Sequence, residues 1–127
     1  MPDFTPIPEG YGPPFHKLLG VRMGIGPNLE GVAWVEIDPE KHYGARWAHG
    51  GMVGALADIA SGLAVGRSLV NAVNVIDGTI ELKVNFLRKV DKTPLAVEII
   101  PSPDFRSPRH CACAERFIEL FSTSHLL

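Results

Sequence analysis

Residues 49–66 read HGGMVGALADIASGLAVG, and this stretch decides the fold. Every position is apolar or small except His49 and Asp58, the two side chains that could do chemistry. Apolar residues recur without the alternation of a strand, so the pattern predicts a helix of about five turns. A carboxylate buried in such a helix is costly unless it has a use, which marks Asp58 as a candidate functional residue.

The two sides of this helix differ in bulk, because residues advance by about 100° each around a helix axis. The bulky side consists of Met52, Val53, Leu56, Ile59, Ala60 and Leu63. The opposite side consists of Gly51, Gly54, Ala55, Asp58, Ser61, Gly62 and Val65. We predict that the bulky side packs on a sheet and that the small side lets another backbone or a ligand approach closely.

Two simpler interpretations of the helix compete with a functional one. A transmembrane span needs about 20 apolar residues, and a central Asp costs roughly 2.5 to 3.5 kcal/mol on insertion scales. A plain core helix would instead satisfy its Asp with a neighbouring hydroxyl or cap. Composition alone does not decide whether this helix is a plain core helix or carries a functional site at Asp58.

Length and charge limit the remaining possibilities. The chain has 127 residues, 46% of them hydrophobic, and a net charge of −2, which predicts a single domain over residues 1–127. Nucleic acid is not an expected partner, because no basic stripe is present. Residues 1–14 contain five prolines and no apolar run, so we predict an extended arm, no signal peptide and a cytoplasmic protein. Cys111 and Cys113 are interpreted as reduced packing residues.

Several strands are predicted around the helix. Residues 15–25 suggest a short helix or turn leading into a first strand, and residues 31–38 alternate as a half-buried strand. Residues 79–87 alternate most clearly, with Ile80, Leu82, Val84 and Phe86 predicted to point inward. Residues 95–100, 109–118 and 120–127 supply three more strands, the last two separated only by Glu119. Without crossover helices, an antiparallel meander is favoured, giving an α+β fold.

A family resemblance adds to this interpretation. AHGGMVGALADIASGLAV, followed by TIELKVNFLRKV, resembles the hotdog-fold acyl-CoA thioesterases of the phenylacetate-pathway (PaaI-like) type over roughly residues 34–94. The resemblance implies one long central helix wrapped by a curved antiparallel β-sheet. It also implies a homodimer or a dimer of dimers, and hydrolysis of a short-chain or aromatic acyl-CoA.

The same resemblance implies roles for individual residues. The Gly50 backbone N–H would polarise the thioester carbonyl, with Gly51 beside it in the substrate site, and His49 would support the helix start. Asp58 would act as general base or nucleophile, and Thr79 would lie near the attacking water. These residue types suit the chemistry, because a helix N-terminus offers a preorganised donor for developing negative charge.

The chain departs from the family pattern at Tyr43, where relatives usually have an Asn that orients water. Proline-rich residues 100–108 also replace part of a long strand in relatives. Arg88 and Lys89 could contact CoA phosphates, or could belong to a solvated turn. The remaining histidines lack metal-ligand spacing and are interpreted as surface or packing residues, so no metal or cofactor is expected. They are His16, His42, His110 and His125.

Two classes of function therefore remain open. One is an acyl-CoA thioesterase, and the other is a non-catalytic acyl-CoA-binding module on the same fold, because a fold does not determine its function. Gly50 and Asp58 are eight residues apart, or about 12 Å along a helix, which is too far for both to serve one thioester. We therefore predict active sites shared between two chains.

Overall fold

The computed structural model of the chain describes residues 4–68, 82–84, 86, 89–90, 95–99 and 119–121. The elements in these residues, in chain order, are β1 (Thr5–Pro6), α1 (Pro14–Leu19), β2 (Arg22–Ile25), β3 (Gly31–Val35), α2 (Pro39–His42), α3 (Gly50–Ser68), β4 (Leu95–Ile99) and β5 (Glu119–Phe121). The helix predicted over residues 49–66 is confirmed as α3, and the short helix leading into a strand is confirmed as α1 and β2.

The strands form one sheet in the order β1-β2-β3-β4-β5, and every neighbouring pair is antiparallel. The predicted antiparallel meander is therefore confirmed for the described strands. The long helix α3 lies between β3 and β4 in the chain and packs against both strands. The architecture is α+β, with one dominant helix on one face of the sheet.

The two predicted sides of α3 are confirmed. The bulky side forms the core with the inner face of the sheet, where Met52, Val53, Leu56, Ile59 and Ala60 are buried and Leu63 is partly buried against them. On the small side, Gly51 and Gly62 are exposed, and Gly54, Ala55, Asp58 and Ser61 are half-buried. Burial of branched side chains on one side stabilises the helix position, since each contributes about 1.5 to 3 kcal/mol.

A glycine allows α3 to lie close to the sheet. A Cβ on Gly31 of β3 would overlap the Ala60 carbonyl oxygen of α3 and would lie 2.8 Å from the Ala64 nitrogen. The backbones of strand and helix therefore touch at this point, which only a residue without a side chain permits.

The face of β3 that points away from α3 is also covered. The prediction that only one face of this strand is buried is therefore wrong. Val32 is fully buried and Trp34 is half-buried. The Phe4 ring from the N-terminal arm lies 4.8 Å from the Trp34 ring, centroid to centroid, and the Arg22 guanidinium lies 5.6 Å from the same ring. The proline-rich arm covers this face because β1 pairs with β2 and carries Phe4 across it.

The strand predicted over residues 79–87 is not present in the part of that segment that is described. Residues 82–84 and 86 have no strand structure, and the inward-pointing pattern is also wrong, because Leu82 is 45% exposed and Phe86 is 60% exposed. Val84 alone among these packs against the core. β4 pairs with β3 over five residue pairs and so occupies this edge of β3. The alternating residues 82–84 and 86 therefore cannot pair with β3 at that edge.

The late strands agree with the sequence in part. The strand predicted over residues 95–100 is confirmed as β4. Glu119, expected to separate two strands, lies inside β5 and pairs with Glu98 of β4. Residues 109–118, including Cys111 and Cys113, and residues 122–127 lie outside the described residues.

Candidate functional site

The start of α3 is capped by His49. The Gly51 N–H donates to His49 Nδ1 at 2.8 Å, and the Met52 N–H donates to the His49 carbonyl oxygen at 2.9 Å. An Nδ1 that accepts a hydrogen bond carries no proton, so the neutral ring is protonated at Nε2. The imidazole thus satisfies one of the first N–H groups of the helix, which otherwise lack partners.

The Gly50 N–H, in contrast, has no hydrogen-bond acceptor among the described residues. Gly50 is exposed at the first position of α3, where the helix dipole contributes a partial positive charge. A free N–H in this position can donate to an oxygen atom that gains negative charge during a reaction.

The loop before α3 sets the direction of the helix. Tyr43 is half-buried and forms an isolated antiparallel bridge with Ala48, and the turn between them is closed by the Gly44 N–H, which donates to the Trp47 carbonyl oxygen at 2.8 Å. The candidate substrate residue Tyr43 is therefore part of the turn that leads into α3.

His42 holds this loop against the rest of the protein. Its side chain is 5% exposed; Nδ1 accepts from the Asp38 N–H at 2.9 Å and Nε2 lies 2.9 Å from the Leu19 carbonyl oxygen, to which it donates. The His49 N–H in turn donates to the His42 carbonyl oxygen at 2.8 Å. Of the two alternatives predicted for the remaining histidines, surface or packing, His42 is a packing residue, and it links the end of α1 to the start of α3.

Asp58 lies two turns along α3 from Gly50. It is half-buried on the small side of the helix. Within one chain the carboxylate and the Gly50 N–H stay about 12 Å apart along the helix.

His16 of α1 is a neighbour of Asp58 that the sequence did not predict. Burial lowers the pKa of the His16 imidazole below its ordinary value of 6.5, and the Asp58 carboxylate opposes that shift. The Nδ1 atom of His16 is buried without a hydrogen-bond partner among the described residues. No local pattern could reveal this proximity, because 42 residues separate the two side chains in the chain.

Lys89 and Val90 lie beside the loop that leads into α3. The Ala48 N–H donates to the Val90 carbonyl oxygen at 2.8 Å, and the Lys89 ammonium lies 5.8 Å from the centroid of the Trp47 ring. Lys89 is exposed. The structure therefore brings this candidate cation to the same end of α3 as Gly50 and His49, whereas the candidates Thr79 and Arg88 lie outside the described residues.

The described residues contain neither a metal-ligand cluster nor a membrane-spanning helix. No group of three or more His, Cys, Asp or Glu side chains there is arranged to hold a metal ion. No helix among these residues has the length and apolar character needed to cross a membrane.

Comparison with known proteins adds no relative. No protein-family model matches the chain, and no curated protein or solved structure shows significant similarity to it.

Proposed function

We propose that the protein is a hotdog-fold thioesterase that hydrolyses a short-chain or aromatic acyl-CoA in the cytoplasm. The observation that carries this proposal is the arrangement along α3: the Gly50 N–H, which has no acceptor among the described residues, stands at its exposed start, and Asp58 stands half-buried on its small side. A long helix on an antiparallel sheet supports the hotdog assignment.

The proposed reaction uses these two groups on opposite sides of the thioester carbonyl. The Gly50 N–H donates to the carbonyl oxygen, whose negative charge grows as water attacks the carbonyl carbon; one good donor of this kind contributes about 3 to 4 kcal/mol. Asp58 accepts the proton of the attacking water, and the C–S bond then breaks to release CoA thiolate and the free acid. In the alternative route, Asp58 attacks directly and water hydrolyses the resulting anhydride.

The separation of Gly50 and Asp58 requires a second chain in this proposal. Two copies of α3, packed antiparallel about a two-fold axis through their small sides, would bring the start of each helix near Asp58 of the other. The structure leaves room for this: no described atom lies within 4 Å of the position that a Cβ on Gly54 or Gly62 would occupy. Each dimer would contain two composite sites, and pairing of dimers would give a tetramer.

The other candidate residues complete the proposed site. His49 holds the first turn so that the Gly50 N–H stays directed outward, and Gly51 lets the His49 imidazole lie close against this turn, where a Cβ would be 2.9 Å from Nδ1. Tyr43 contacts the substrate, Thr79 orients the attacking water, and Arg88 and Lys89 attract the anionic CoA. These roles rest on the family resemblance.

The test begins with thiol release from a panel of acyl-CoAs. Asp58→Ala should lower kcat by about a hundredfold to ten-thousandfold, the usual effect of losing a general base. Glu40→Gln is the matched control, because Glu40 is an exposed carboxylate that belongs to α2 rather than to α3. Wild-type turnover in Asp58→Ala would refute the assignment, and acyl-CoA binding without any thiol release would favour a binding module.

Mixing of chains tests the shared site. Gly50→Pro removes the proposed donor at a first-turn position that tolerates proline, and a Cβ there would lie 3.4 Å from the Phe86 ring, an ordinary contact. Each mutant alone should be nearly inactive, but a dimer of one Gly50→Pro chain and one Asp58→Ala chain retains one intact site. Random mixing makes about half of the dimers mixed, so about a quarter of wild-type activity should return. No recovery in verified mixed dimers would exclude shared sites.

A further inference from the structure

The Phe86 ring lies directly against the first residue of α3. Its Cε1 and Cζ atoms are 3.4 and 3.5 Å from the position that a Cβ on Gly50 would occupy, which is van der Waals contact. The side chain is nevertheless 60% exposed. One edge of the ring therefore lies next to the helix start, and much of the side chain is exposed beside the Gly50 N–H, which has no acceptor among the described residues.

The position of this ring is supported by the chain that follows it. The hydrogen bond from the Ala48 N–H to the Val90 carbonyl oxygen and the contact of Lys89 with the Trp47 ring attach the segment to the loop before α3. The helix start lies on one side of the Phe86 ring, and the backbone hydrogen bond of Val90 fixes the chain four residues after it. An exposed aromatic side chain placed beside a free polar donor is a typical element of a ligand site, which combines apolar walls with few polar groups.

We propose that Phe86 is a specificity-determining residue that contacts the acyl group of the substrate next to its thioester carbonyl. This inference rests on the proposed function. A carbonyl oxygen bound to the Gly50 N–H brings the carbonyl substituents near a ring whose edge lies 3.4 Å from the Cβ position of Gly50. An aromatic acyl group gains more from this contact than an acetyl group, because two rings pack in offset or edge-to-face geometry and bury more apolar surface.

The test compares phenylacetyl-CoA with acetyl-CoA, which share the CoA portion and differ only in the acyl group. Phe86→Ala should lower kcat/KM for phenylacetyl-CoA about tenfold more than for acetyl-CoA, the range for losing one apolar contact in a pocket. Phe86→Leu keeps an apolar side chain, so its kcat/KM for phenylacetyl-CoA relative to acetyl-CoA should fall only about threefold. Leu82→Ala is the matched control: Leu82 is an exposed apolar residue of the same region, and its loss should leave the ratio unchanged.

The outcomes separate this inference from the proposed function. If the wild type releases thiol and Phe86→Ala lowers kcat/KM equally for both substrates, or not at all, the inference is refuted and the thioesterase proposal stands. If the wild type releases no thiol, the thioesterase proposal fails, and equilibrium binding of the same two compounds decides the inference. Selective loss of phenylacetyl-CoA binding in Phe86→Ala then supports it; unchanged or absent binding overturns it. Urea unfolding of each variant verifies that it is folded.

Discussion

The small side of α3 yields a prediction that separates stability from assembly. In Gly54→Leu, the new side chain meets no described atom within 4 Å of its Cβ in the single chain. Leucine also favours a helix interior more than glycine does, by about 0.5 to 1 kcal/mol. The free energy of unfolding of the isolated chain should therefore rise by about that amount.

The same substitution should weaken a dimer that packs through this side. Overpacking a close contact costs about 1 to 3 kcal/mol, and a two-fold dimer contains the substitution twice, so the total is about 2 to 6 kcal/mol. At about 1.4 kcal/mol per factor of ten, the dissociation constant should rise at least about thirtyfold. Thioesterase activity should fall at dilute protein and recover as concentration increases, since the proposed site needs both chains.

Sedimentation velocity over a range of concentrations measures the dissociation constant, and urea unfolding at concentrations below it measures the stability of the isolated chain. Lys17→Leu is the control, because it adds the same side chain to an exposed position of α1 rather than to α3. Our interpretation fails if Gly54→Leu associates as tightly as the wild type, or if the wild type is monomeric at every concentration. A less stable isolated chain would show that this side of α3 is covered within one chain.

Two further predictions concern the stability of the single chain. Gly31→Ala should lower the free energy of unfolding by about 3 kcal/mol or more, because the new Cβ overlaps the Ala60 carbonyl oxygen and the contact is between two backbones; a wild-type urea midpoint would contradict the close approach of β3 and α3. His16 should make the protein less stable in acid, because its pKa in the folded protein lies below the ordinary value of 6.5. Its contribution to the free energy of unfolding is complete above pH 6.5 and is lost as the pH falls through the folded pKa. His16→Gln should therefore lose less stability between pH 7.5 and pH 5 than the wild type does in urea unfolding, and equal losses would show that His16 does not titrate as described.

The sequence by itself determined the elements whose signal is local. The position of α3 and its division into a bulky and a small side follow from the spacing of residues such as Leu56 and Asp58, because a helix places residues three and four apart on one side wherever it lies. The antiparallel order of the sheet was predictable for a similar reason: short strands without crossover helices leave few other connections. The candidate residues at the helix start also followed from their place in the chain.

Only the tertiary structure decided which distant groups meet. The alternation around Leu82 and Phe86 is as regular as that of a strand, but β4 takes the edge of β3, and the Phe86 ring instead lies next to Gly50. The proximity of His16 and Asp58 and the covering of Trp34 by the N-terminal arm likewise have no local signal. Periodicity indicates which side of a helix or strand is apolar. It does not indicate which segment packs on that side, because segments far apart in the chain compete for the same surface.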